Sequence, residues 1–194
     1  MRALRPAIVA AALVLSAGVP FAADADRYVA PGGAFSIALT DSAAPVFRRG
    51  RESVSSGIIL ADFPFVNSAG LAAVSSRAVE WIKLDQAIDP AQYDGQATAV
   101  VEGYLEGRYG AGKFSILGSG KFRSSDGRLV YVFAASTTLD EAPARWQGSV
   151  LFFDGGVALV SEIVPQPAGQ KADPTRGIVS QPAVDWALTL KPGS

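Results

Sequence analysis

Residues 114–164, FSILGSGKFRSSDGRLVYVFAASTTLDEAPARWQGSVLFFDGGVALVSEIV, decide the fold. Asp126-Gly127 separates two apolar runs, 114–122 and 129–135. Both positions of such a turn demand positive φ, so the dipeptide between alternating runs is a strong hairpin signal. Asp154-Gly155-Gly156 separates a second pair, 146–153 and 157–164. Two successive hairpins predict a four-stranded antiparallel meander.

Upstream of the meander, Asp89-Pro90 predicts a helix start, with Asp as N-cap and Pro in the first turn. Tyr93, Ala97, Val100, Val101, Tyr104 and Leu105 recur at spacings of three and four, while Glu102 and Glu106 fall on the opposite face. Gly95 and Gly103 weaken this helix intrinsically, so its stability has to come from packing the apolar stripe. Gly107 or Gly110 ends it. Residues 71–84 fit either a helical stripe or a strand. The strand is preferred, because 79–84 (VEWIKL) is rich in strand-forming residues and Ser75-Ser76 form helix poorly. Residues 54–63 predict one further strand centred on 57–60, and 34–39 another, with Phe35, Ile37 and Leu39 alternating with small residues.

Downstream, a Pro/Gly-rich loop spans 165–177, and 180–188 predict a short helix that closes the domain before Pro192. The expected order is βββαββββα. The fold class is α+β, an antiparallel sheet of about six to seven strands with helices covering its apolar faces. The Pro31-x-Gly33-x-Phe35-Ser36-Ile37 segment, the long central helix, the late meander and the short last helix resemble the PsbP-like fold. That resemblance spans most of residues 28–190. It implies a binding or adaptor module more than a catalyst, and it transfers no site residue, since the chain holds no His for a metal position.

The amino end predicts export. Arg2 and Arg5 precede an uncharged stretch from Pro6 to Ala23, broken by Gly18 and Pro20, and Ala23-Asp24-Ala25 supplies a small-x-small exit. Basic region, short apolar region and small residues define a cleavable signal peptide over 1–25, with cleavage after Ala25 and Ala22 as the alternative. The mature chain, 26–194, then forms one domain in the periplasm or outside the cell. No stable membrane insertion of the mature chain is expected. Loss of Arg2, Arg5 and Asp24 leaves 15 basic and 17 acidic side chains. That balance gives no general pull on nucleic acid.

The chain contains no His and no Cys. A Ser-His-Asp triad, a cysteine nucleophile and zinc or haem sites built on those ligands are excluded. No cofactor and no metal site are expected. The candidate sites that remain are modest. Arg48, Arg49 and Arg51 form a basic cluster able to dock a phosphate or an acidic partner, although three arginines in a Gly-containing loop are more often simply solvated. Asp85, Asp89 and Asp94, with Glu102 and Glu106, could bind calcium or serve as an acid/base pair, but such charges also make an ordinary solvated face. Gly107 to Lys113 has the spacing of a phosphate-binding loop, yet Phe114 stands where Ser or Thr should ligate magnesium, and the loop leaves a helix instead of entering one. A helix-to-strand turn is the expectation. Trp81, Trp146 and Trp186, with Tyr104 and Tyr109, could line a ligand groove, but in a domain of this size they are more often core. The leading functional expectation is an exported, non-catalytic binding or adaptor domain, whose partner is an unknown protein or a small apolar ligand. The alternatives are a carboxylate-dependent hydrolase near Asp85, Asp89 and Asp94, and a carrier holding an apolar ligand between sheet and central helix.

Overall fold

A computed structural model of the chain describes residues 27–39, 52–65, 75–139, 141–166 and 178–193. The export segment, both cleavage points and the Arg48, Arg49 and Arg51 cluster lie outside these residues. The described elements run in the order β1 (Arg27–Val29), β2 (Phe35–Ala38), β3 (Glu52–Ser55), β4 (Ile58–Phe65), β5 (Ser75–Lys83), α1 (Tyr93–Tyr109), β6 (Ser115–Arg123), β7 (Leu129–Leu139), β8 (Ala142–Phe153), β9 (Gly156–Pro165), α2 (Gln181–Leu188) and β10 (Lys191–Pro192). The fold is α+β and its sheets are antiparallel.

Seven strands form the main sheet in the order β3-β4-β5-β9-β8-β7-β6, and β1-β2-β10 form a small second sheet. The meander is present, and β8 and β9 pair from Phe153↔Gly156 to Ala144↔Pro165, but its turns differ from the expected form. The β6–β7 loop is closed by Arg123↔Leu129 with Gly127 (φ 85°) alone at positive φ, and neither Asp154 nor Gly155 has positive φ. Residues 71–84 resolve as strand over the described part, and β5 lies inside the sheet, paired with β9 from Ser76↔Ile163 to Lys83↔Gly156. From β5 the chain crosses one face through α1 to the far edge, β6. The meander then brings it back strand by strand to β9.

Two expectations change. Residues 54–63 are not one strand: Ser56 (φ 48°) and Gly57 (φ 81°) make a tight turn, so β3 and β4 form a hairpin. Successive positive φ values are what a right-twisted two-residue hairpin needs, and Gly supplies one freely. The other change concerns the Phe35–Ala38 strand. It does not join the main sheet, but pairs with β1 and with β10 beside it.

The small sheet and α2 together cover one face of the main sheet, and α1 covers the other. Phe35, Ile37, Ile59, Phe63, Val79, Trp81, Leu151, Val160 and Trp186 share the first core. Val101, Leu105, Phe133, Trp146, Val150 and Leu159 belong to the second. Because β7, β8 and β9 are covered on both faces, long stretches of each are buried without alternation, as sheets sandwiched between layers require. Two tryptophans fit on these faces because a glycine lies beneath each. A Cβ on Gly156 would sit 2.3 Å from the Trp81 ring, and one on Gly148 would sit 2.5 Å from Trp146. The α1 stripe is inward as read: Ala97, Val101, Tyr104 and Leu105 are buried, and Gly110 (φ 93°) ends the helix.

Leu105 is 0% exposed, whereas Glu106 faces solvent. Leu105→Ala is expected to cost about 2–5 kcal/mol in urea unfolding, as for other buried leucines. Glu106→Ala should stay within about 0.5 kcal/mol.

Candidate functional site

A groove of about 830 Å³ opens where the ends of both sheets meet. It is bounded by the Pro31-Gly32-Gly33 turn, the β3–β4 turn, the end of β5, the β8–β9 turn and the Pro192-Gly193 segment. Trp81 forms its floor. The indole is fixed over Gly156, stacked on Phe35 at 5.8 Å and tilted against Phe153 at 5.6 Å. Ile59, Val54 and Phe153 extend the apolar lining. Val54, 61% exposed on the edge strand β3, leaves the rim open to solvent. Gly193 closes the far wall. Its N–H donates to the Ala34 carbonyl at 2.8 Å, and a Cβ there would lie 1.9 Å from the Gly33 carbonyl oxygen. Only glycine allows this approach.

Lys83 and Asp154 also line the groove. Lys83 follows Trp81 on the same face of β5, and Asp154 sits in the β8–β9 turn beside it, since Lys83 registers with Gly156. Neither side chain has a hydrogen-bond or ion-pair partner among the described residues. The groove therefore combines an aromatic floor, a wall of bare glycine backbone and two opposite charges that no described residue neutralises.

A second polar cluster lies on the other face, under the C-terminal end of α1. The Arg108 guanidinium donates to Asp62 Oδ1 at 2.9 Å and stands 5.9 Å from the Tyr104 ring. Ser161 Oγ lies 3.5 Å from the Tyr104 hydroxyl. Burial pushes the Glu80 carboxyl above its ordinary value, with the Arg108 charge acting partly against it. Burial also raises the phenols of Tyr104 and Tyr109. Asp62, Glu80 and Arg108 were missed by the sequence reading. Their signal is a single charge set between apolar neighbours in each strand, Ala61-Asp62-Phe63 and Val79-Glu80-Trp81, and an arginine four residues after Tyr104 on a helix.

The aspartates singled out in the sequence do separate jobs. Asp89 Oδ1 accepts from the Ala91 N–H at 2.9 Å as a cap. Asp94 accepts from Lys121 Nζ at 2.8 Å and from the Tyr131 hydroxyl at 2.6 Å. These donors hold the Asp94 carboxyl below its usual range, while burial followed by the Asp94 bond pushes Tyr131 up to about 12. Asp85, Glu102 and Glu106 are exposed. Among the described residues no three acids gather closely enough to hold a metal ion. Residues 107–113 form the expected helix-to-strand turn, with the Lys113 N–H on the Gly110 carbonyl at 3.1 Å. All three tryptophans are buried, and Trp81 alone of them lines the groove. That groove lies on the face away from α1, not between sheet and central helix.

Near the start of α2, Arg77 Nε donates to Glu162 Oε2 at 2.7 Å, and its guanidinium lies 5.0 Å over the Trp186 ring. Gln147 Nε2 donates to Ser180 Oγ at 3.0 Å and Gln147 Oε1 accepts from the Ser180 N–H at 3.0 Å, tying the helix entry to β8. No protein-family model matches the chain, and no curated protein matches its sequence. Among the described residues no helix is long and apolar enough to cross a membrane.

The raised Glu80 carboxyl makes a pH prediction. The folded state holds the proton more tightly than the unfolded chain, so the contribution of this group is fully present below about 4.5 and is lost as pH rises through the raised value. Glu80→Gln keeps a neutral side chain at every pH. Its Tm is expected to match the parent near pH 4 and to exceed it at pH 7, measured by thermal melts across that range.

Proposed function

We propose that this protein is an exported, non-catalytic binding module of PsbP-like fold that takes its ligand in the Trp81 groove. The observation that carries the reading is the groove itself: an open apolar cleft with two charges unpaired among the described residues, in the size range of sites for small ligands. The missing His and Cys support it from the chemical side, because the commonest nucleophilic and metal-assisted routes have no residues to run on. The PsbP-like assignment rests on the Pro31-x-Gly33-x-Phe35-Ser36-Ile37 entry, a long helix before a four-stranded meander, and a short terminal helix. Export to the periplasm or beyond rests on the charge and apolar pattern of residues 1–25.

Export is tested by expressing the full precursor and weighing the exported product. A chain beginning at or near Asp26 is expected, and one retaining Met1 would overturn it. Binding is tested by purifying tagged mature protein from its native envelope and identifying the bound material by mass spectrometry. Val54→Asp and Lys83→Glu change exposed groove residues and should alter stability by no more than about 0.5 kcal/mol. Each is expected to strip the bound material about 10-fold or more, the loss of roughly 1.4 kcal/mol of affinity. If both variants carry as much as the parent, the ligand does not sit in this groove.

A further inference from the structure

The groove also specifies a kind of ligand, an inference that rests on the binding reading above. Its floor is apolar and aromatic, through Trp81, Phe153 and Ile59. A ligand matching only that floor would be a lipid-like molecule, and it would leave the rest of the lining unused. Lys83 and Asp154 carry opposite charges in the one groove, and neither is paired among the described residues. A purely anionic ligand would suit Lys83 and be repelled by Asp154, and a cationic ligand would meet the reverse. A molecule bearing both charges satisfies both side chains at once. The walls add a further requirement. Gly32, Gly33, Gly155 and Gly193 line the groove without side chains, although part of this main chain is already bonded within the protein: the Gly33 N–H donates to Ala30, the Gly193 N–H to Ala34, and the Gly155 carbonyl accepts from Leu84. With no side chain in the way, the backbone of a ligand can approach these walls closely.

We propose that the groove binds zwitterionic apolar oligopeptides: short peptides with a free ammonium directed to Asp154, a free carboxylate directed to Lys83, and apolar side chains on Trp81. The volume of about 830 Å³ exceeds what a single amino acid fills and lies within the range for ligands of a few hundred daltons. Aromatic and branched side chains are favoured by the floor. Charged side chains are disfavoured there, since burial against Trp81 and Phe153 offers them no partner.

The probe is the dipeptide leucyl-phenylalanine, with its N-acetyl form (no ammonium) and its C-terminal amide (no carboxylate). Binding to the isotopically labelled mature chain is followed by amide chemical shifts. Shifts are expected at Lys83, Asp154, Gly155 and Gly193. Blocking either end should weaken affinity about 10- to 100-fold, the worth of a charge-assisted hydrogen bond. Lys83→Met should weaken the free dipeptide while leaving the amide unchanged, and Asp154→Asn should do the same for the N-acetyl form. That pairing of variant with blocked end is a pattern that general loss of structure cannot produce. Equal binding of free and blocked dipeptides in the groove would overturn the zwitterion while leaving the groove as a binding site. No shift at groove residues with any of the three at millimolar concentration would overturn the peptide class, and the envelope-derived ligand would then decide the binding reading separately.

Discussion

The pairing of β5 with β9 holds this structure together. Residues about 80 apart in the chain meet along it, from Ser76↔Ile163 to Lys83↔Gly156. On one side of the seam stand the β3–β4 hairpin and β5. On the other stands the meander, reached only after α1 has crossed the sheet. Without the seam, each half would present a strand edge and two apolar faces to water. With it, a single sheet is wide enough for α1 to bury one face and for α2 and the small sheet to bury the other. The loop-closure cost of so distant a pairing is modest once the neighbouring hairpins have formed, since it grows only with the logarithm of length.

The parts legible in the sequence are those in which local chemistry and global fold agree. Asp126-Gly127 makes its hairpin whatever surrounds it, and the stripe through Ala97, Val101 and Leu105 faces inward because only one side of α1 is apolar. The 71–84 segment, ambiguous by periodicity, was settled by the strand preference of Val79, Trp81 and Ile82. Other features depended on distant partners. Ser56-Gly57 looks like the middle of an apolar run until Val54 is seen registered with Ile59. The strand at Phe35 reads like any half-buried strand, and nothing near it says that its neighbours are Tyr28 and Pro192 and not the main sheet.

The groove was hidden for the same reason. It is assembled from five separate stretches, none of which holds more than a few of its residues, so no motif spans it. Lys83 and Asp154 each look like a routine surface charge in sequence. Their meaning comes from sharing one cleft. The polar cluster at Asp62, Glu80 and Arg108 is likewise spread over two strands and a helix. Conversely, Asp85, Asp89 and Asp94 look concentrated in sequence yet part in space, because the chain turns from strand to helix between them.

The tryptophan seated over a glycine has a consequence for how such a chain can change over time. Trp81 and Gly156 occupy one shared volume across the central seam, and Trp146 and Gly148 occupy another on the opposite face. Neither member of a pair can be altered alone at little cost: enlarging the glycine collides with the ring, and shrinking the ring leaves a cavity beside the glycine. The tolerated route is exchange, a smaller residue at one position accompanied by a larger one at the other. Among descendants of a common ancestor, positions 81 and 156 should therefore drift in concert, as should 146 and 148. Such correlated replacement would betray the seam in an aligned set of sequences even where the identities of the residues have changed.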